Sequence, residues 1–270
     1  MRTVICHFYN EEYLLPWWLK HHLPMFDYGV LIDHGSTDNS ADICRQLAPN
    51  WRLVRSRLTH FDAYQTDLEV MNYEQELVGW KIALTVSEFL MSSVPLSQLE
   101  SYLKDMGRIG CAASGMLVID ENPDIEASHD LPLPLQKHHG IDDNAITSQE
   151  ERIAIGNIGL QPTRNRFFHN NAVGQYYPGR HSSFLPDSSF RVLNLMVFVY
   201  HYAPWNAQTI KRKMQIGTKL DAKDVARGWG VHHLRDEATL QNDYLRKKEV
   251  AFDFMKYEHA RDAIALNCKY

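Results

Sequence analysis

LIDHGSTDNS, Leu31 to Ser40, begins as an apolar strand and ends as the start of a helix. The run Gly29 to Asp33 (GVLID) is β-rich and closes on a carboxylate. Gly35 allows a tight turn, and Ser36, Thr37 and Asp38 are of the type that caps a helix. A helix is expected through Ile43 and Leu47, ending before Pro49. If Asp33 faces out of the strand end, its carboxylate can accept hydrogen bonds from a nucleobase N–H or from ribose hydroxyls. A well-made strand-to-helix turn would look the same.

The same rhythm runs on both sides of this stretch. Thr3 to Phe8 (TVICHF) reads as a strand, and Asn10-Glu11-Glu12 joins a capping residue to two first-turn acids. The helix it signals extends to about His22 and starts late or kinks at Pro16. Trp51 to Ser56 is a third strand, Ala63 to Leu77 a helix, and Gly79 to Leu84 a fourth strand. Strands alternating with helices of this length imply an α/β fold, its parallel sheet covered on both faces. Ligands bind such sheets beyond the carboxyl ends of the strands. That places Tyr9-Asn10, Asp33-His34-Gly35 and Thr85 to Glu88 along one rim.

The second half is less regular. Leu96 to Met106 suggests a helix and Ile109 to Ile119 a strand; Asp120 to Asn144, with Pro123, Pro132 and Pro134, reads as a long functional loop. Ala154 to Gly159, Arg166 to Val173 and Phe190 to Tyr202 are further strands, and Ala207 to Gly217 a helix. A last helix, about Asn242 to Leu266, carries Leu245, Phe252, Met255, Ala263 and Leu266 on one stripe, with His259 packed among them.

A chain of 270 residues with 44% hydrophobic content can bury one sizeable core, so a single domain is expected. Its formal net charge of −5 excludes a general basic field for nucleic acid. No apolar run approaches the roughly 20 residues of a membrane helix. Cys6, Cys44, Cys111 and Cys268 form no CxxC pair, which suggests reduced thiols in a cytoplasmic protein, with peripheral membrane association left open. The fourteen histidines include the pairs His21-His22, His138-His139 and His232-His233, none in a zinc-binding spacing.

HFYNEEYLLPWWLKHH (His7 to His22) followed by FDYGVLIDHGSTDNS (Phe26 to Ser40) resembles the opening of family 2-type glycosyltransferases of the GT-A fold, in the branch close to glycosyltransferase family 92. GWKIALTVSEFL (Gly79 to Leu90) stands where that branch has a W-K-x-x-x-D-x-D-E-F strand. Gly179 to Ser183 (GRHSS), Tyr200-His201-Tyr202 and Lys211-Arg212-Lys213 are similar to the histidine strands and basic helix that close such sites. The resemblance runs from about residue 3 to 220. It implies a single GT-A-like domain with a Rossmann-like, mostly parallel central sheet and helices on both faces. Residues 1–90 would form the nucleotide-binding half, 91–220 the acceptor and site-closing half, and 221–270 a C-terminal helical segment.

The activity implied is transfer of a sugar from a UDP- or GDP-type donor to a hydroxyl of an oligosaccharide or glycolipid, usually with inversion and with Mn²⁺ or Mg²⁺ on the diphosphate. By their places in the motifs, Tyr9, Glu11 and Asp33 would hold the donor, with Gln65, Asp67 and Asn72 on the following helix as further candidates. His34 stands where many members carry a second acid. Thr85 and Ser87 occupy the positions of the two D-x-D acids. Neutral hydroxyls bring no charge to a hard cation, so metal binding is expected to be weakened or lost. Three outcomes stay open. Glu88 with His181 or His201 could hold a metal, cations among Arg164, Arg166, Arg180 and Lys211 could neutralise the diphosphate, or the domain could bind without transferring. Glu88, Asp143 and Asp187 are the catalytic candidates, with Asp142, Glu150 and Glu151 qualifying as bases by position alone. Tyr176, Tyr177 and Trp205 are aromatics beside these elements, and Trp17 and Trp18 are expected to pack the first helix.

Overall fold

A computed structural model describes residues 1–142 and 164–268 of the chain. Strands β1 (Arg2–Phe8), β2 (Tyr28–Asp33), β3 (Arg52–Arg55) and β4 (Trp80–Leu84) lie parallel in the order β3-β2-β1-β4. Helices α1 (Leu15–His22), α2 (Ser40–Leu47) and α3 (Ala63–Gln75) connect them. Alternation along β1 divides its side chains between two layers. Val4, Cys6 and Phe8 join the core with Trp17, Trp18 and Cys44, while Ile5 packs on the other face with Val70 and Tyr73 of α3. The fold is therefore α/β, with a sheet buried on both sides.

Beyond β4 the same sheet becomes mixed. It continues through β5 (Glu88–Ser92), helix α4 (Leu96–Asp105), β6 (Gly110–Ile119), helix α5 (Leu133–Gln136), β7 (His139–Asp142), β8 (Arg166–His169) and β9 (Arg191–Tyr202). Strand β8 is antiparallel to both β4 and β6, β9 runs parallel to β6, and β5 pairs antiparallel with β9. The C-terminal region adds α6 (Ala207–Met214), α7 (Ala222–Ala226), α8 (Glu237–Val250), the two-residue β10 (Phe252–Asp253) on β7, and α9 (Glu258–Asn267).

Strand β5 shows why α1 carries two tryptophans and two histidines. One edge of β5 pairs with β9, and α1 covers the other. Trp18 Nε1 donates to Glu88 O at 2.8 Å, His21 Nε2 lies 2.7 Å from Leu90 O, and Leu90 N donates to His22 Nε2 at 3.1 Å. Side chains thus complete a ladder that would otherwise end in buried, unpaired backbone groups. Burial lowers the His21 imidazole to about 4 and His22 well below its usual value, so both are neutral.

Several expectations are corrected. The single helix from Asn242 to Leu266 is two, interrupted by β10. Asp253 Oδ1 accepts from Met255 N at 2.9 Å, and backbone pairing with β7 outweighs the helical periodicity. Leu245, Phe252 and Met255 are exposed, while Ala263 is buried. The long loop after Asp120 contains α5 and β7, anchored by a buried Lys137–Asp120 pair at 2.6 Å. Arg166 to Val173 is a strand only to His169. Ala154 to Gly159 lies outside the described residues.

Candidate functional site

The loops after β1 and β2 are laced together by the two motifs that opened the sequence. Asn10 N donates to Ser36 Oγ at 2.9 Å, Thr37 N to Asn10 Oδ1 at 2.7 Å, Glu11 N to Ser40 Oγ at 2.8 Å, and Asn39 N to Glu12 Oε2 at 3.1 Å. Asn10 does not cap α1; it sits at φ 48°, a conformation asparagine tolerates, and is spent on the neighbouring loop. This bonding fixes Tyr9 and Asp33 side by side at the carboxyl end of the sheet. One oxygen of Asp33 takes Ser36 N at 2.8 Å, and its residue is half-buried at the rim.

Next to Asp33 the rim is aromatic. His34 is 2% exposed and stacks on Phe61 with ring centroids 4.2 Å apart, and Phe61 meets Tyr9 edge-on at 6.2 Å. Burial and His7 together lower His34 to about 4. The segment after α6 roofs this corner, with Phe61 N bonded to Lys219 O at 2.7 Å and Lys219 Nζ over the Tyr9 ring at 4.6 Å.

Three of the acids named from the sequence are each paired with a buried arginine. Glu11 meets Arg212 Nε of α6 at 2.5 Å, Asp67 meets Arg180 and accepts Gly179 N at 2.8 Å, and Glu88 meets Arg166. The last pair is bidentate, with Nε to Oε2 at 2.7 Å and Nη2 to Oε1 at 2.6 Å, and both side chains are at most 4% exposed. Arg166 Nη1 also reaches Gly179 O at 2.9 Å and His181 Nδ1 at 3.0 Å. Glu88 Oε2 further accepts Thr85 N at 2.8 Å, and the Thr85 and Ser87 hydroxyls lie 3.1 Å apart. As a donor set for a hard cation, this turn offers two neutral oxygens and a carboxylate already neutralised by a guanidinium, a poor fit. His181 is exposed and bonded to Arg166, while His201 lies on β9 beside this turn, since Tyr200 N donates to Ser87 O at 2.7 Å.

A cationic cluster closes the site from the β9 side. His201 is lowered well below its usual range by burial and by Lys213, Arg164, Arg212 and His233. Lys213 falls to about 7, through burial first and then Arg212 and Arg164. Lys213 Nζ lies 4.6 Å above the Tyr202 ring, whose hydroxyl donates to Asp243, and Arg235 and Lys247 also reach Asp243, at 2.9 and 2.5 Å. Arg164 acts on both His201 and Lys213. Lys211 is not part of the cluster: it faces solvent on α6, and the neighbouring Arg212 and Lys213 turn inward. The sequence showed the basic triplet but not which of its members points into the protein.

Asp187 is not brought to the rim. It binds Arg108 Nη1 at 2.7 Å and Ile109 N at 2.8 Å at the start of β6, which lies level with the start of β4, the opposite end of the sheet. Asp142 ends β7 opposite Met116 of β6, three strands across the sheet from β4. Asp143, Glu150 and Glu151 lie outside the described residues. Tyr176 is core, its hydroxyl donating to Glu74 Oε1 at 2.6 Å, and Trp205 is stacked on Tyr244 at 4.4 Å.

No protein-family model and no curated protein matches the chain. Among solved structures, TarS of S. aureus (residues 1–349) in complex with UDP-GlcNAc is similar at 10% identity, with 98% of this chain and 73% of that one covered and a TM-score of 0.40. Against a longer TarS chain the identity is 14%, the coverage 99% and 46%, and the TM-score 0.35. Glucosyl-3-phosphoglycerate synthase of Mycobacterium tuberculosis, in complex with Mn²⁺, UDP-glucose and phosphoglyceric acid, gives 14% identity, 63% and 56% coverage and a TM-score of 0.34. All are distant likenesses.

Proposed function

We propose that the chain is a nucleotide-sugar glycosyltransferase that neutralises the departing diphosphate with its own cations rather than with a metal ion. The observation that carries this reading is the gathering of Arg164 and Lys213, with Arg212 of the Glu11 pair and a neutral His201 able to donate a hydrogen bond, at the rim that also holds Tyr9, Asp33, Thr85 and Ser87, in a chain of net charge −5. Three hydrogen bonds to a charged group, at about 1.5 to 3 kcal/mol each, total roughly 5 to 9 kcal/mol. Micromolar binding corresponds to about 8 kcal/mol, so such a cluster is adequate before ordering costs. Asp33 and the Tyr9–Phe61–His34 aromatics would take the ribose and base of a UDP- or GDP-type donor.

In the proposed step an acceptor hydroxyl oxygen of an oligosaccharide or glycolipid bonds to the anomeric carbon from the face opposite the diphosphate. The carbon–oxygen bond to the diphosphate breaks with inversion, its electron pair leaves with the phosphate, and the hydroxyl proton passes to a carboxylate. Asp143, Glu150 and Glu151 are candidate bases, on sequence position alone. One observation favours a second reading, a domain that binds donor or a partner without transfer: Glu11, Asp67 and Glu88 are all held in arginine pairs. Incubating the protein with UDP- and GDP-sugars and analysing for free sugar and glycoside separates the two. Binding without hydrolysis or transfer, with or without Mn²⁺, would leave only the second.

A further inference from the structure

We propose a second, structural site in this protein: a zinc-type divalent cation site built from His138, His139 and Asp253 at the seam between β7 and β10. One ligand atom from each of the three side chains lies within 4.8 Å of the other two. His138 Nδ1 stands 3.0 Å from Asp253 Oδ1, and the two imidazoles stack with centroids 5.2 Å apart. Tetrahedral zinc with nitrogen and oxygen ligands at about 2.0 to 2.2 Å sets its ligand atoms roughly 3.3 to 3.6 Å apart, so the His138–Asp253 pair must open slightly and the wider separations close by about 1 Å, within reach of side-chain rotation. Two imidazoles with one carboxylate suit zinc, nickel or copper better than magnesium or calcium.

A second observation points the same way. Glu121 Oε2 lies 3.3 Å from His139 Nδ1, and both atoms are buried without a hydrogen-bond partner. A carboxylate behind a histidine is the usual outer support of a metal-bound imidazole, fixing its orientation and raising its basicity. Binding would replace the His138–Asp253 hydrogen bond and release any proton held there.

The placement gives the site a role. Asp253 belongs to the two-residue β10, which pairs with β7 at Phe252↔Gly140 and Asp253↔His139. So short a pairing is weak, and α9 follows it after one 3-10 turn at Phe254–Lys256. A cation held by both strands would pin the C-terminal segment to the edge of the sheet, so its effect would be on stability.

The test is titration of the full chain, freed of metal with EDTA, with Zn²⁺ against a chromophoric chelator. One equivalent is expected to be retained, with Glu121→Gln weakening it by about 10- to 100-fold and the His138→Asn/His139→Asn double variant losing it. Circular dichroism checks that the double variant folds. Should it not fold, Co²⁺ added to the unaltered protein is the second measurement, expected to give the intense visible absorption of a four-coordinate site. No retained zinc, undiminished binding in a folded double variant, or only the pale spectrum of hydrated Co²⁺ would each overturn the proposal.

Discussion

Glu88→Gln tests the pairing at the heart of the site. Glu88 and Arg166 are at most 4% exposed and joined by two parallel hydrogen bonds. Removing one charge of such a pair strands the other, at a cost of about 3 to 5 kcal/mol. Against a urea slope of about 3 kcal/mol/M, the unfolding midpoint should fall by roughly 1 to 1.7 M. Arg166→Met should cost a similar amount. The double variant loses both charges together and leaves Gly179 O short of one donor, so it should cost no more than about 2 kcal/mol. The two changes are therefore expected to be strongly non-additive. Urea unfolding followed by circular dichroism reads all three variants. A Glu88→Gln cost below about 1 kcal/mol, or additive costs in the double variant, would refute the buried pair. Arg166→Met has a second readout: it uncovers Glu88 beside Thr85 and Ser87 and should raise the affinity for Mn²⁺.

Three further outcomes are expected. His21 and His34 are held neutral, each at about 4, against about 6.5 in an unfolded chain. The unfolded state therefore binds more protons between these values, and stability present above pH 6.5 should be lost as the pH falls toward 4, by up to about 3 kcal/mol per histidine; urea midpoints at pH 7 and 5 check this, and a flat profile would contradict it. Lys213, lowered to about 7, should gain a proton when a diphosphate arrives, so calorimetry of UDP binding near pH 7.5 in buffers of differing ionisation enthalpy should show proton uptake that Lys213→Met abolishes. Thr85→Asp with Ser87→Asp should raise Mn²⁺ affinity at least about tenfold by adding two anionic oxygens, and unchanged affinity would show that these positions do not face the diphosphate.

The parallel half of the sheet was legible because its signals are local. Strand, glycine turn and helix follow one another within a few residues, and β1 to β4 lie within two residues of their expected bounds. The rim followed from the topology. What the sequence hid was pairing at long range. Glu88 and Arg166 are 78 positions apart, and nothing in either neighbourhood names the other. That Glu88 to Ser92 forms a separate strand depends on β9 and on the side chains of α1. The cationic cluster was half visible as Lys211-Arg212-Lys213, while the direction each faces is set by the docking of α6 against Glu11. In the C-terminal region a helical period persisted through residues that the sheet claims as β10.

Metal-free recognition of a diphosphate is the central claim, and calorimetric titration of UDP into the intact protein, in EDTA and again in Mn²⁺, tests it most directly. Binding in EDTA with a Kd within about threefold of that in Mn²⁺ is expected, a difference of about 0.7 kcal/mol at most. Binding that appears only with Mn²⁺, or no binding at millimolar UDP in either buffer, would contradict it.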